Sequence, residues 1–192
     1  MKAIRLALIC LIGIPLVHYT IKFQYEQFVD DALIWFFLLI AGTIVLIWTL
    51  IADIRNYRFT REIGALFPAL LGIAFLITIL AIEYRVQARF NKATWVRADY
   101  DGDINGVSID FKIDGSYVLN NHVIGSSDYS YGNYTIDGNR ITLDKTFGRI
   151  ITTPYFEIRQ RSDRHGSKWL YLLSDDGAVL DSVSFKVTID NR

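Results

Sequence analysis

The chain has 192 residues, with twenty Lys and Arg balancing twenty Asp and Glu, and apolar side chains make up 52% of it. A mildly acidic C-terminal half argues against nucleic-acid binding, which draws its affinity from clustered Lys and Arg, and the single cysteine, Cys10, excludes an intrachain disulfide. The neutral total hides a division: the first 94 residues hold nine basic and six acidic side chains (+3), and the rest hold eleven and fourteen (−3).

The N-terminal run MKAIRLALICLIGIPLVHYTIK has a basic start at Lys2 and Arg5 and an apolar stretch from Leu6 to Val17. Leu16, Val17, His18 and Tyr19 are bulky and supply no small-x-small cleavage site. Ala3 to Ile21 is therefore read as a retained span and not a signal peptide. Ile9 stands where a lipoprotein site needs a small residue before Cys10. Arg5 is expected to snorkel to the interface, and Pro15 to kink or loosen the far end.

From Ala32 to Ala52, and again from Ile63 to Ile82, the chain carries no charge. Each run makes a helix roughly 30 Å long, the thickness of a bilayer's hydrocarbon core. Trp35 and Trp48 lie roughly 20 Å apart along such a helix, a spacing that marks two interfaces. Ala65, Ala69 and Gly72 fall near one face of the third span, where small residues allow close packing within the bundle. His18 lies within a turn of its span's end, too shallow for an intramembrane relay.

The loop DIRNYRFTRE carries Arg55, Arg58 and Arg61, whereas KFQYEQFVDD carries one Lys and three acids. Counted over all flanks, basic residues tie: Lys2, Arg5, Arg55, Arg58 and Arg61 on one side, and Lys22, Arg85, Arg89, Lys92 and Arg97 on the other. The first helix breaks the tie and places the N-terminus in the cytoplasm and the C-terminal part outside. Residues 83–94, EYRVQARFNKAT, continue as a juxtamembrane helix or stalk, with Tyr84, Ala88 and Phe90 on its apolar side.

Residues 95–192 alternate apolar and polar side chains between turn signals such as IDGS, IDGN and SDDG. Seven strands are expected: VSIDFKI, GSYVLN, DYSYGNYTI, RITLDK, RIITTPYFEIR, KWLYLLS and SVSFKVTI. In the first, Val107, Ile109, Phe111 and Ile113 share one face, and Ser108, Asp110 and Lys112 the other. The fold class is three transmembrane helices (1–82), a helical stalk and a small antiparallel β-meander or barrel-like domain.

The runs ATWVRADYDGDINGVSIDFKIDGSYVL and YGNYTIDGNRITL resemble small lipocalin-like β domains, in which a Trp-containing opening strand leads to an aromatic strand, an Asp-Gly hairpin and a Gly-x-Tyr strand. The resemblance implies an up-and-down barrel whose interior holds a ligand or is filled by side chains; seven strands instead of eight count against a roomy cup.

The segment Asp101-Gly-Asp103-Ile-Asn105-Gly106 alternates oxygen ligands as calcium loops do, but Ser108 and Lys112 stand where the pattern needs other residues, and turn formation accounts for the acids. His122 lies near Ser126, Ser127 and Asp128 without a nucleophile elbow, and His165 sits in a polar run. No catalytic or metal residue, and no cofactor, is assigned. The expected function is non-enzymatic: a membrane-anchored β domain that captures a partner protein or envelope molecule. That layout resembles small immunity or envelope-protection proteins. The tyrosines Tyr100, Tyr129, Tyr131, Tyr134, Tyr155 and Tyr171 serve either as interface residues or as cross-strand pairs. An accessory subunit of a membrane complex and a lipocalin-like carrier of an apolar ligand are the alternatives.

Overall fold

The three apolar runs fold as helices α1 (Lys2–Lys22), α2 (Val29–Thr60) and α3 (Phe67–Phe90), each long and apolar enough to cross a membrane. The computed structural model describes residues 2–102, 104–147, 151–161 and 166–192. The chain divides into a helical unit, Met1–Ala88, and a second unit, Arg89–Arg192.

Helix α1 runs through Pro15 without interruption. Asp30 and Asp31 occupy the first turn of α2, where negative charge complements the helix dipole. Helix α2 passes well beyond Ala52: DIRNYRFT, expected as loop, stays helical because it contains neither Gly nor Pro. It ends where Arg61 turns left-handed (φ 59°) and donates its N–H to the Tyr57 carbonyl. A 3-10 turn, Ile63–Leu66, then leads into α3.

Small residues set the spacing of the bundle, as the sequence pattern implied. A Cβ on Gly72 of α3 would come within 2.6 Å of Leu46 on α2, and one on Gly13 of α1 within 2.5 Å of the Phe75 ring on α3. Ala65 and Ala69 are buried within the same bundle.

The second unit is a closed antiparallel barrel of eight strands: β1 (Thr94–Gly102), β2 (Asn105–Lys112), β3 (Ser116–Val123), β4 (Ser126–Asp137), β5 (Arg140–Leu143), β6 (Tyr155–Gln160), β7 (Lys168–Leu173) and β8 (Val179–Asp190). Each strand pairs with the next, and β1 pairs with β8 through Val96↔Asp190 and Ala98↔Val187, which closes the ring. The strand absent from the expected seven is β1. Only Val96 and Ala98 of TWVRADYDG are fully buried, and that is little apolar signal.

Val107, Ile109 and Phe111 point inward as their alternation requires, and they meet Phe156, Leu170, Leu172 and Phe185 from across the ring. A barrel of this size is just wide enough for side chains to fill, and these fill it. Ile113 departs from the expected face: it lies exposed where the chain turns through Asp114 and Gly115 (φ +83°). Lys112 departs as well, being 2% exposed instead of facing water. Its ammonium donates to the carbonyls of Phe90 (2.9 Å) and Lys92 (3.1 Å) and to Asp110 Oδ2 (2.7 Å). A buried cation thus satisfies the last carbonyl of α3, that of Phe90, and one just beyond the helix, that of Lys92. The Tyr134 hydroxyl donates to the Lys112 carbonyl, and its ring stacks on Trp95.

At another point the Tyr117 hydroxyl donates to Asp144 Oδ1 (2.8 Å), and the Asn133 N–H donates to Oδ2 (3.0 Å). Gly132 makes room for this arrangement: a Cβ there would stand 2.4 Å from both the tyrosine and the carboxylate oxygens. Replacing it with alanine is expected to cost about 1–3 kcal/mol, as overpacking does. Thermal unfolding of full-length Gly132→Ala in detergent, followed by near-ultraviolet dichroism, checks this.

Four carboxylates of the barrel unit are held below their ordinary range, Asp176 among them through the Ser174 hydroxyl and the Ala178 N–H. Lys92 and Ser116 act on Asp114; Arg192, opposed by burial and aided by Lys168, acts on Asp190. For Asp144, burial is outweighed by the Asn133 N–H and the Tyr117 hydroxyl. A depressed folded pKa contributes stability above the unfolded value, and that stability is lost as pH falls. The barrel should therefore weaken as the pH drops below about 4. Unchanged near-ultraviolet dichroism and unfolding temperature across that range would contradict this linkage.

Candidate functional site

In the helical unit the polar contacts gather at the two ends of the bundle. At one end Arg5 is 7% exposed and Asp53 is fully buried. Arg5 Nη2 lies 2.6 Å from Asp53 Oδ1, and Asp53 Oδ2 accepts the N–H of Ala69 (3.0 Å) in the first turn of α3. One carboxylate therefore joins α1, α2 and α3. Arg5 does not snorkel, because α1 and α2 run antiparallel and bring Asp53 to its depth. A signal for this was present in the sequence: Arg5 opens the first span, Asp53 closes the second, and consecutive spans place those positions at the same end.

Three buried polar atoms here have no hydrogen-bond partner among the described residues, Arg5 Nε, Thr49 Oγ1 and Asp53 Oδ1, the last held by its ion pair with Arg5 Nη2. The same end opens into a cavity of about 720 Å³, lined by Lys2, Arg5, Arg55 and Arg58, with Trp48 and Phe59 on its apolar side.

At the other end Lys22 pairs with Asp31 (2.6 Å). Trp35 is half-buried, and its Nε1 donates to Thr20 Oγ1 (3.0 Å), so it ties α2 to α1. Trp48 is exposed. His18 is exposed, its ring edge-on to Tyr19.

On the barrel, the calcium-like segment forms a β-hairpin. Asp101 faces Gly106 across it, and Asp101 and Asn105 are exposed; Asp103 lies outside the described residues. Lys112 stands at the opposite end of β2 from Asn105, roughly 23 Å away, so the segment does not wrap an ion as a calcium loop does. His122 faces Ser127 in the β3–β4 register, with its ring over Gly106. No hydrogen bond joins it to Ser126, Ser127 or Asp128 among the described residues. His165 lies outside them. Among the described residues no group of three or more His, Cys, Asp or Glu is placed to hold a metal ion.

The six tyrosines do not form an open patch. Tyr134 is core, Tyr100 packs on the core beside Phe185, Tyr129 and Tyr131 pack on Phe90, Tyr155 lies under Arg140, and Tyr171 is half-buried. Exposed apolar residues gather elsewhere. Ile104 (67% exposed) tips the β1–β2 hairpin, and Val123 and Ile124 (44% and 83%) tip the β3–β4 hairpin. The pairing Asn105↔Val123 sets the tips side by side, at the end of the barrel away from Thr94, where the chain enters.

No protein-family model matches the chain, and neither a curated protein nor a solved structure matches it.

Removing the Asp53 carboxylate leaves Arg5 buried without a counter-charge. Asp53→Ala should lower stability by about 3–5 kcal/mol, whereas Arg5→Met/Asp53→Leu, which removes both charges, should recover most of the loss. Thermal unfolding of the full chain in detergent distinguishes them; a double variant no better than the single one would show that the pair is not coupled.

Proposed function

We propose that the chain is a membrane-anchored, non-enzymatic binding module, with three helices in the bilayer and a β-barrel that captures a partner protein or envelope molecule, in the manner of an immunity or envelope-protection protein. The N-terminus and the Arg-rich segment around Arg55, Arg58 and Arg61 lie on the cytoplasmic side, and the barrel lies on the opposite face. The supporting observation is the combination of a side-chain-filled interior with exposed Ile104, Val123 and Ile124 on two neighbouring hairpin tips. A filled barrel offers its outer surface for recognition, and exposed apolar side chains at a rigid end are the kind of group that a partner buries. The filled interior also argues against the carrier alternative.

A second reading, an accessory subunit braced within a larger membrane complex, draws support from α2. Its buried residues are Thr49 and Asp53 alone among those described, which leaves most of a 32-residue helix free to meet lipid or other helices.

Affinity capture of the full chain from solubilised membranes tests the proposal. Ile104→Asp/Ile124→Asp should reduce recovery of the captured partner by more than tenfold, given about 1.5–3 kcal/mol for each apolar side chain removed from an interface. Capture confined to integral membrane proteins and indifferent to the tip substitutions would favour the brace instead.

A further inference from the structure

The basic cavity beside the Arg5–Asp53 pair is more than the underside of a helix bundle. Asp53 already offsets Arg5, and among the described residues no acidic side chain lies within ion-pair distance of Lys2, Arg55 or Arg58. The cavity thus carries three uncompensated cations. Arg5, which also lines it, is buried and holds an Nε–H with no acceptor. Three exposed cations that line one recess without a counter-charge make a site shaped for an anion that brings its own acceptors. The apolar side is equally specific in its chemistry: Trp48, Ile51 and Phe59 line the cavity and are exposed along the outside of α2, continuous with the surface that faces acyl chains.

We propose that this cavity binds the anionic headgroup of a phospholipid. Lys2, Arg55 and Arg58 take the phosphate, while Trp48 and Phe59 flank the start of an acyl chain. A basic recess at the end of membrane helices is where anionic headgroups are held. The boundary of the hydrocarbon, with its reduced dielectric, strengthens each contact relative to open water.

Full-length protein, delipidated in a detergent micelle, is offered equal amounts of dioleoyl phosphatidylglycerol and dioleoyl phosphatidylcholine, and the retained lipid is read by native mass spectrometry. The wild type should retain the anionic lipid selectively. Arg55→Gln/Arg58→Gln should lower that preference roughly thirtyfold, each cation near an anionic surface contributing about a factor of five. Both arginines are exposed and unpaired, so helical dichroism should be unchanged; Lys2→Gln gives a second, smaller loss. Arg85→Gln, at the opposite end of α3, should have no effect. Equal retention of the two lipids, or a loss from Arg85→Gln as large as that from the cavity variant, overturns the proposal. Thermal protection by inorganic phosphate equal to that by phosphatidylglycerol overturns it in favour of a free-anion site.

Discussion

The helical unit depends on the carboxylate of Asp53. In a bilayer, lipid tails are as apolar as leucine, so burial of apolar surface does not drive helices together as it does in water, and close packing and polar ties must do so. Gly13, Gly42 and Gly72 supply the close packing, each lying where another helix's side chain comes near. Asp53 supplies the tie, through the Arg5 guanidinium on one oxygen and the Ala69 N–H on the other. A fully buried carboxylate is costly to keep charged unless both oxygens are compensated. That cost makes the arrangement specific: a bundle in any other register would strand either Arg5 or Asp53. The Ala69 bond also gives α3 a cap that its own sequence lacks, since Glu62 makes no side-chain bond to the turn it precedes.

The barrel solves a comparable problem with the opposite charge. A helix that ends at Phe90 leaves carbonyls unpaired, and Lys112 places an ammonium among them while Asp110 balances its charge. On the next strands, Asp144 anchors the β4 backbone through Asn133 and holds the Tyr117 hydroxyl, with Gly132 keeping the space clear. Trp95, Phe111 and Tyr134 form an aromatic cluster nearby, and Phe156, Tyr100 and Phe185 form another. Hydrophobic filling alone would tolerate several registers of eight short strands. The buried polar contacts admit one, because a one-residue slip would reverse every side chain they use.

What could be read from the sequence follows the range of the interaction that decides each feature. The charge-free runs reveal α1, α2 and α3 because helix length and hydropathy are local, and Val107, Ile109 and Phe111 reveal a strand because period-two alternation is local. Strand β1 stands outside the seven strands expected: Ala98 contributes almost no apolar signal, and its neighbours Arg97, Asp99 and Asp101 are charged. The fate of Arg5 depends on Asp53, and that of Lys112 on Phe90 and Lys92. Each involves a partner distant in the chain, and nothing in a local pattern distinguishes a buried paired cation from a solvated one. The hairpin tips could be read only in part. Ile104 and Ile124 fall between strand patterns in the sequence, and only the register of β2 with β3 shows that they are neighbours.

The two ends of the bundle differ in how their charges are used, and that difference decides what each can bind. Lys22 is engaged by Asp31, so an anion approaching there must displace a carboxylate that is already in place. At the other end the one carboxylate in contact, Asp53, is held by Arg5 and Ala69 and is withdrawn from solvent. An anion meeting Lys2, Arg55 and Arg58 displaces no carboxylate paired with them among the described residues. Anion binding and helix attachment at this end therefore use different side chains, Lys2, Arg55 and Arg58 for one and Arg5 with Asp53 for the other.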